Sequence, residues 1–365
     1  MNKKRDGKKR RAKVGLGDVA RAAGLSIATV SRVINGSQRV RPVLRDRVIK
    51  TAVRLGLDVE RRNSSRIVAF LLCNRPVLHP FHSAVLAGAE AQCAAHDFGV
   101  LFLALQYSSK ASWKELHIPP LLRDRRLVQG VMLAGVNYQN LLDALADRGF
   151  PLVCLGNNMV GDWRQDRHSA VFFDDIEGAR EATTYLQSLG HKNIWYIGNG
   201  QFTWIARRRE GYRRAMEDAG LAPLVRDMNF DNPEDLGYLA TKSILNESQP
   251  ITAILAADDA TARGAYRALN DQGLKIPADV SVVGVNDTLE AAGLTPPLTS
   301  VRVFTDQIGK QMAELLLKQV SQLDAKPQVV TLPTRLIRRE SCRRLLPVDR
   351  SATEQQASSA NIAAP

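Results

Sequence analysis

Residues 16–35 read "LGDVARAAGLSIATVSRVIN". Val19, Ala20 and Ala23 fall on one face of a helix. Gly24 follows, placed for the left-handed residue that ends it. Ser26 is positioned to cap a second helix that begins at Ile27. In that helix Val30, Val33 and Ile34 form an inward stripe, and small Ala20 permits close approach of the two helices. The spacing Ala20, Gly24, Val30 predicts a helix-turn-helix. Pro42 suits the first position of a third helix running to about Leu55. Its inward residues are expected to be Val43, Val48, Ala52 and Leu55, and Arg41 stands where a hydroxyl cap would be usual.

A second helix of this kind lies in the major groove of DNA. Its outward residues are Ile27, Ala28, Ser31 and Arg32. Ile27 and Ala28 are short and apolar, which suits thymine methyls; packing within the head is the alternative. Arg32 suits a phosphate or an outer base. Ser26, Thr29, Ser31, Asn35 and Arg39 are candidate backbone contacts that set register.

The charge distribution agrees. The 365-residue chain carries a net charge of +13. Residues 1–66 hold 19 basic and 5 acidic residues, a net of +14, and the remaining 299 hold 31 and 32, a net of −1. A basic head on a neutral body is the footprint of a polyanion-binding protein. The arm at residues 1–13 reads as disordered and adds salt-sensitive, non-specific affinity. No apolar run reaches the ~18 residues of a membrane span, and no secretory signal is read at the start. The expected location is the cytoplasm. Cys73, Cys93, Cys154 and Cys342 form no CxxC pair, so small buried thiols are expected rather than a disulfide framework or zinc site.

From residue 67 to 345 strand-like runs alternate with amphipathic helices. Strands are expected at 67–72, 100–105, 130–133, 152–155, 170–173, 194–197, 251–255 and 280–285. This is an α/β pattern with parallel sheets, and eight strands over this length suggest two units. Ligands in such folds sit beyond the carboxyl ends of the strands, often between the units.

Six segments in order carry a family resemblance: "GDVARAAGLSIATVSRVING", "DDIEGAREATTYLQSLGHKNIWYIG", "RRREGYRRAMEDAGL", "AADDATARGAYRALNDQGLKIPADVSVVGVND", "PPLTSVRVFTDQIGKQMAELLL" and "LPTRLIRRESC". Together, from about residue 16 to 344, the chain resembles the lactose- and galactose-repressor family of bacterial transcription regulators. The resemblance implies an all-α helix-turn-helix head at 14–57 and a hinge at 58–66. It also implies an effector-binding and dimerisation core at 67–345, similar to a periplasmic sugar-binding protein. Three crossovers would divide that core into subdomains of about 67–173 plus 300–326, and 174–299 plus 327–345. The implied function is repression, with a small molecule in the cleft, a sugar or derivative, controlling operator affinity. One such head reads only a short half-site, so a homodimer on a near-palindrome is expected.

Polyol ligands need planar bidentate partners and an apolar platform. The family's effector arginine lies three residues before the Gly of its "RxxG" helix start, which matches Arg208 and Gly211. Asp258 matches the strand-end acceptor, with Asp259 left to cap the next helix. The family's "GFDD" reads "GVND" here, so Asn286 replaces the usual first Asp, and Asp287 is expected to order its loop. Phe81 in "HPFH" matches the aromatic position, as ligand wall or as core. Trp204 is a second wall. His79 and His82 are too few for a metal site, and no cofactor is expected.

Two features depart from the family. Its hinge begins with Pro-Asn and carries a leucine that enters the minor groove; here Val59-Glu60 stands instead, and no leucine lies between Leu57 and Ile67. Arg61, Arg62 and Arg66 leave either a plain tether or a lever that grips DNA by charge. The tail at 346–365 is polar, without leucine heptads, and reads as disordered. An enzyme on the α/β body would need a nucleophile elbow, a P-loop or a metal cluster, and none is read. A solute receptor without DNA function leaves the basic head unexplained.

Overall fold

The computed structural model describes residues 15–34, 40–55, 65–77, 79–112, 114–161, 166–322 and 325–345. The expectations for the basic arm, Asn35, Arg39, Arg61, Arg62 and the tail lie outside the described residues.

The head has helices α1 (Leu16–Ala23), α2 (Ile27–Ile34) and α3 (Pro42–Arg54). Asp18 accepts from the Gly15 amide at 2.8 Å, closing the start of α1. Gly24, at φ 63°, ends it, and the Leu25 amide returns to the Ala20 carbonyl at 3.0 Å. Ser26 Oγ caps α2 by accepting from the Thr29 amide at 3.1 Å. Val19, Ala20, Val30, Val33, Ile34, Val48 and Ala52 make the shared core. Val43 is not in it: the side chain is 78% exposed. The inward stripe of α3 runs through half-buried Leu44 to Val48, Thr51, Ala52 and Leu55 at helical spacing. Position 43 falls outside that stripe.

In the body, the first sheet is built from β1 (Ile67–Cys73), β2 (Gly99–Leu105), β3 (Val131–Gly135), β5 (Leu152–Leu155), β7 (Ser169–Phe173) and β13 (Val329–Leu332). The second contains β8 (Ile194–Gly198), β9 (Leu224–Asp227), β10 (Ala253–Ala256), β11 (Ser281–Asn286), β12 (Thr299–Arg302) and β14 (Arg335–Ile337). The strand orders are β13-β7-β5-β3-β1-β2 and β14-β12-β11-β10-β8-β9. All neighbours are parallel except β12 and β14. Two-residue strands β4 (Asn137–Tyr138) and β6 (Met159–Val160) pair beside the first sheet's strand ends. Strand β1 shows why this architecture forms. Val68, Phe70 and Leu72 enter one apolar cluster, while Ala69, Leu71 and Cys73 enter another on the opposite face. A strand buried on both faces reads as a continuous apolar run.

Helices α4 (Pro80–Ala94), α5 (Gln139–Ala146), α6 (Asp175–Ser188), α7 (Thr203–Asp218), α8 (Pro233–Leu245), α9 (Asp259–Asp271), α10 (Leu289–Ala292) and α11 (Thr305–Ser321) complete the described body. The chain passes between the sheets after β7, after β12 and between β13 and β14. Asp174 ties the first crossing to the third: its amide donates to the Leu332 carbonyl at 2.9 Å, and its carbonyl accepts from Thr334 Oγ1 at 3.0 Å. The subdomain boundaries expected at 300 and 326 are corrected by this topology. Residues 299–302 pair with β11 in the second sheet, and 329–332 pair with β7 in the first. Both strands are four residues long, too short for alternation to reveal which sheet they join. Burial raises the thiols of Cys93 and Cys342 to about 11 and of Cys154 to about 12, and raises Cys73 as well. These free cysteines behave as small apolar side chains.

Helix α7 can approach α6 closely because residue 211 is Gly. A Cβ there would lie 2.0 Å from the Ile176 carbonyl oxygen, a backbone atom that cannot step aside. Gly211→Ala is therefore expected to destabilise the body by about 1–3 kcal/mol through overpacking. A lower urea midpoint with an unchanged slope would show this. An unchanged midpoint would contradict the close contact.

Candidate functional site

The exposed side of α2 is the first site. Ile27 is 59% exposed and Ala28 is exposed. They do not pack within the head, so that alternative falls. Arg32 is exposed, and Ser31 and Thr29 are half-buried. The hydroxyls of Ser26 and Thr29 lie 2.8 Å apart. Ser26 thus serves first as the helix cap. At the hinge end, Arg66 makes contacts to the body. Its guanidinium lies 3.5 Å from the Asp97 carboxylate and 5.2 Å over the Phe98 ring. The Ser65 amide already donates to the Arg126 carbonyl at 2.9 Å. The chain is fastened to the body from residue 65, and Arg66 rests on the body's surface with its side chain still 61% exposed. A sequence gives no sign of this, because Asp97 and Phe98 are far away along the chain.

The second site is a cleft of about 270 Å³ beyond the carboxyl ends of the strands, lined by both subdomains. Phe81, Trp204, Arg208, Asp258 and Asn286 all line it. Arg208 is 2% exposed. It donates from Nη1 to the Ala257 carbonyl at 2.6 Å and from Nη2 to Asn286 Oδ1 at 3.0 Å, while its Nε is buried without a partner. Its guanidinium also sits 5.9 Å from the Phe173 ring centroid. The solvated-face reading of the run Arg207–Arg209 therefore fails for Arg208. Arg207 pairs with Asp175 at 2.8 Å and Arg209 with Asp227 at 2.5 Å.

The cap expected of Asp259 falls to Asp258. Asp258 caps α9, accepting from the Thr261 amide through Oδ1 at 2.8 Å, although it also lines the cleft. Asp259 is buried, and its oxygens accept from Ser300 Oγ at 2.6 Å and the Thr288 amide at 2.8 Å. The cap falls one residue earlier because Asp258 still has extended backbone geometry. Asp287 bridges Arg302 and Arg339, each at 2.6 Å, and orders its loop as expected. Residue 286 has φ 112°, a conformation that Asn and Asp tolerate better than most side chains. Phe81 is both wall and core, 5.9 Å from the Phe173 ring. Trp204 stacks on Phe202 at 4.8 Å.

Burial raises the Asp259 carboxyl to about 7, against the opposing pull of its Ser300 and Thr288 hydrogen bonds. A carboxyl raised in the folded state favours folding while it is protonated. Its contribution is present below the unfolded value near 4 and lost as pH rises toward 7, by at most about 1.4 kcal/mol per pH unit. Asp259→Asn is thus expected to gain stability relative to the parent chain between pH 4 and 7. Urea unfolding of both proteins across that range checks it; parallel curves would contradict it.

Several cleft residues were not foreseen. Arg75, just beyond β1, lays its guanidinium 4.8 Å over the Trp204 ring and 5.1 Å over Phe202, reaching from one subdomain to the other. Thr203 Oγ1 donates across the same gap to the Asn157 carbonyl at 2.7 Å. His82 is held neutral, its value lowered to about 3 by burial and then by His79 and Arg75. His79 and His82 pack edge to face, with ring centroids 5.2 Å apart. Among the described residues no group of three or more His, Cys, Asp or Glu could hold a metal ion. No described helix is long and apolar enough to cross a membrane.

Comparison with known proteins covers both the head and the body. Residues 15–56 match the model for bacterial regulatory proteins of the lacI family, and residues 183–342 match a periplasmic binding protein-like domain. The HTH-type transcriptional regulator CelR of Thermobifida fusca is 30% identical over 344 residues, 91% of this chain and 99% of the relative. The HTH-type transcriptional regulator GalS of Salmonella typhimurium is 31% identical over 340 residues, 89% of this chain and 95% of the relative. A solved CelR–cellobiose complex aligns with a TM-score of 0.65 at 29% identity, covering 90% of this chain and all of that one. These relatives are regulators and not enzymes. With a helix-turn-helix whose outward face is free of the head's core, a two-subdomain body and matches along nine-tenths of its length, the chain belongs to the lacI family of DNA-binding bacterial transcription regulators.

Proposed function

We propose that the chain is a cytoplasmic repressor, acting as a homodimer on a near-palindromic operator, whose DNA affinity is set by a small polyol in the cleft. The observation that carries this reading is Arg208. A buried guanidinium between two subdomains, with its Nε–H unpaired and with Phe81, Phe173 and Trp204 among the cleft's walls, is a polar anchor beside an aromatic platform. The CelR–cellobiose complex supports a carbohydrate. The cleft's volume, about 270 Å³, falls just below the roughly 300–1,000 Å³ usual for ligand sites, which favours a small ligand.

On the DNA side, Ile27 and Ala28 meet thymine methyls in the major groove, and Arg32 meets a phosphate or an outer base. Ser31 and Thr29, with Ser26 at the helix start, lie where backbone contacts set register. Asn35 and Arg39 extend that set, and Arg61 and Arg62 add charge in the linker. Selection from a random duplex pool by the full chain tests the DNA reading. The expected product is a pair of short inverted half-sites, and Ile27→Asn with Ala28→Ser should change the bases selected. An unstructured pool after repeated rounds would overturn it.

A further inference from the structure

We propose that the ligand is an anionic polyol, a sugar acid or sugar phosphate, whose carboxylate or phosphate is held between Arg208 and Arg75. This rests on reading the cleft as the effector site and narrows its chemistry.

The charges around the cleft carry the inference. Three guanidiniums line it, and only Arg263 has a carboxylate partner, Glu234 at 2.7 Å. Arg208 is buried among neutral acceptors, the Ala257 carbonyl and the Asn286 amide oxygen. The nearby Asp175 pairs with Arg207 through Oδ1 and acts on Arg208 only through space, without a hydrogen bond to it. Arg75 forms no ion pair among the described residues; its Nε is buried without a partner, and Asp258 acts on it only at a distance. Of the lining carboxylates, Asp258 is the helix cap, Asp259 is turned to Ser300 and Thr288, and Glu290 is exposed.

A buried cation without a counter-charge is unfavourable unless a ligand supplies one. Position 286 makes the point sharp: an Asp there would neutralise Arg208, and Asn does not. A neutral sugar would leave both guanidiniums without a direct ionic partner. A carboxylate or phosphate matches their planar donor geometry. Arg208 lies one helical turn beyond Trp204, on the same face, and Arg75 lies over Trp204. The two cations therefore flank one aromatic floor from opposite subdomains. An anion reached by both would draw the subdomains together, which couples ligand charge to cleft closure.

Calorimetric titration of the full chain with matched trios tests this: galactose, galacturonate and galactose-6-phosphate, then glucose, glucuronate and glucose-6-phosphate. At least one acid or phosphate should bind about tenfold or more tighter than its neutral parent. Which of the two does so separates the carboxylate from the phosphate source. Asn286→Asp, an isosteric change, should abolish that preference, and Arg75→Gln should weaken it. Neutral parents that bind as well as their anions, an anion preference that survives Asn286→Asp, or no binding across the anionic probes would each overturn the proposal. If a neutral sugar binds and Arg208→Gln removes it, the cleft stands and only the anionic class fails. Binding indifferent to both Arg208→Gln and Phe81→Ala would instead overturn the effector site itself.

Discussion

Arg208→Ala is expected to lower ligand affinity by about 30-fold or more and to leave operator binding in place. Truncating one partner of a buried, hydrogen-bonded charge interaction costs roughly 2–5 kcal/mol. Here the loss would fall on the ligand, because the other partners of Arg208 are a backbone carbonyl and an amide that exist without it. The fold should survive the change. The substitution removes a buried charge that has no ion-pair partner, and the neighbouring Tyr212, Met216 and Ala215 of the same helix keep α7 packed. Calorimetry gives the affinity, and the melting temperature without ligand controls for folding. Unchanged affinity in a folded variant would remove Arg208 from the site.

The complementary result is expected in the head. Val30→Asp should abolish DNA binding and leave ligand binding intact. Val30 is fully buried where α1, α2 and α3 meet, in a core of seven side chains. A domain this small buries little apolar surface and is correspondingly marginal. Placing a carboxylate in that core costs several kcal/mol by desolvation, comparable with the whole stability of the head. The body has its own clusters and does not draw on Val30. Electrophoretic mobility of an operator duplex reads the first effect, and calorimetry with the ligand reads the second. Retained operator binding would mean that the head tolerates disruption and is not the reading element. For the parent chain, operator affinity should fall steeply as salt rises, since the net positive charge lies in residues 1–66.

The head was legible in the sequence because its signals are local. Gly24 and Ser26 act within four residues of where they stand, and one helical stripe identifies Val30, Val33 and Ile34. Val43 misled because Pro42 marks where a helix starts but not its rotation; Val48 and Ala52 fix that only once the partner helices are in place. Strand β1 was legible because burial on both faces leaves an unbroken apolar run. The short edge strands β9, β13 and β14 were not, since half-exposed stretches of three or four residues carry no period.

In the cleft, the resemblance located Arg208, Asp258 and Asn286, and the structure brought them together with Phe81 and Trp204. It could not divide the work between Asp258 and Asp259, because one residue of helix start decides which carboxylate caps and which is buried. Nor could it find Arg75. That residue matters through a stacking contact with Trp204, 129 positions away in the chain and in the other subdomain. The contacts of Arg66 were hidden for the same reason, its partners being side chains beyond the next helix.

The central claim is that one chain links a DNA-reading head to a ligand cleft. Its most direct test is fluorescence anisotropy of a labelled duplex carrying the selected operator. The full chain is titrated with and without a saturating ligand identified by calorimetry. The account predicts that ligand shifts operator affinity by about tenfold or more, in the 1–3 kcal/mol range of allosteric coupling. It also predicts that Arg208→Ala removes the shift while preserving the ligand-free affinity. An operator affinity that stays the same when the cleft is occupied would contradict it.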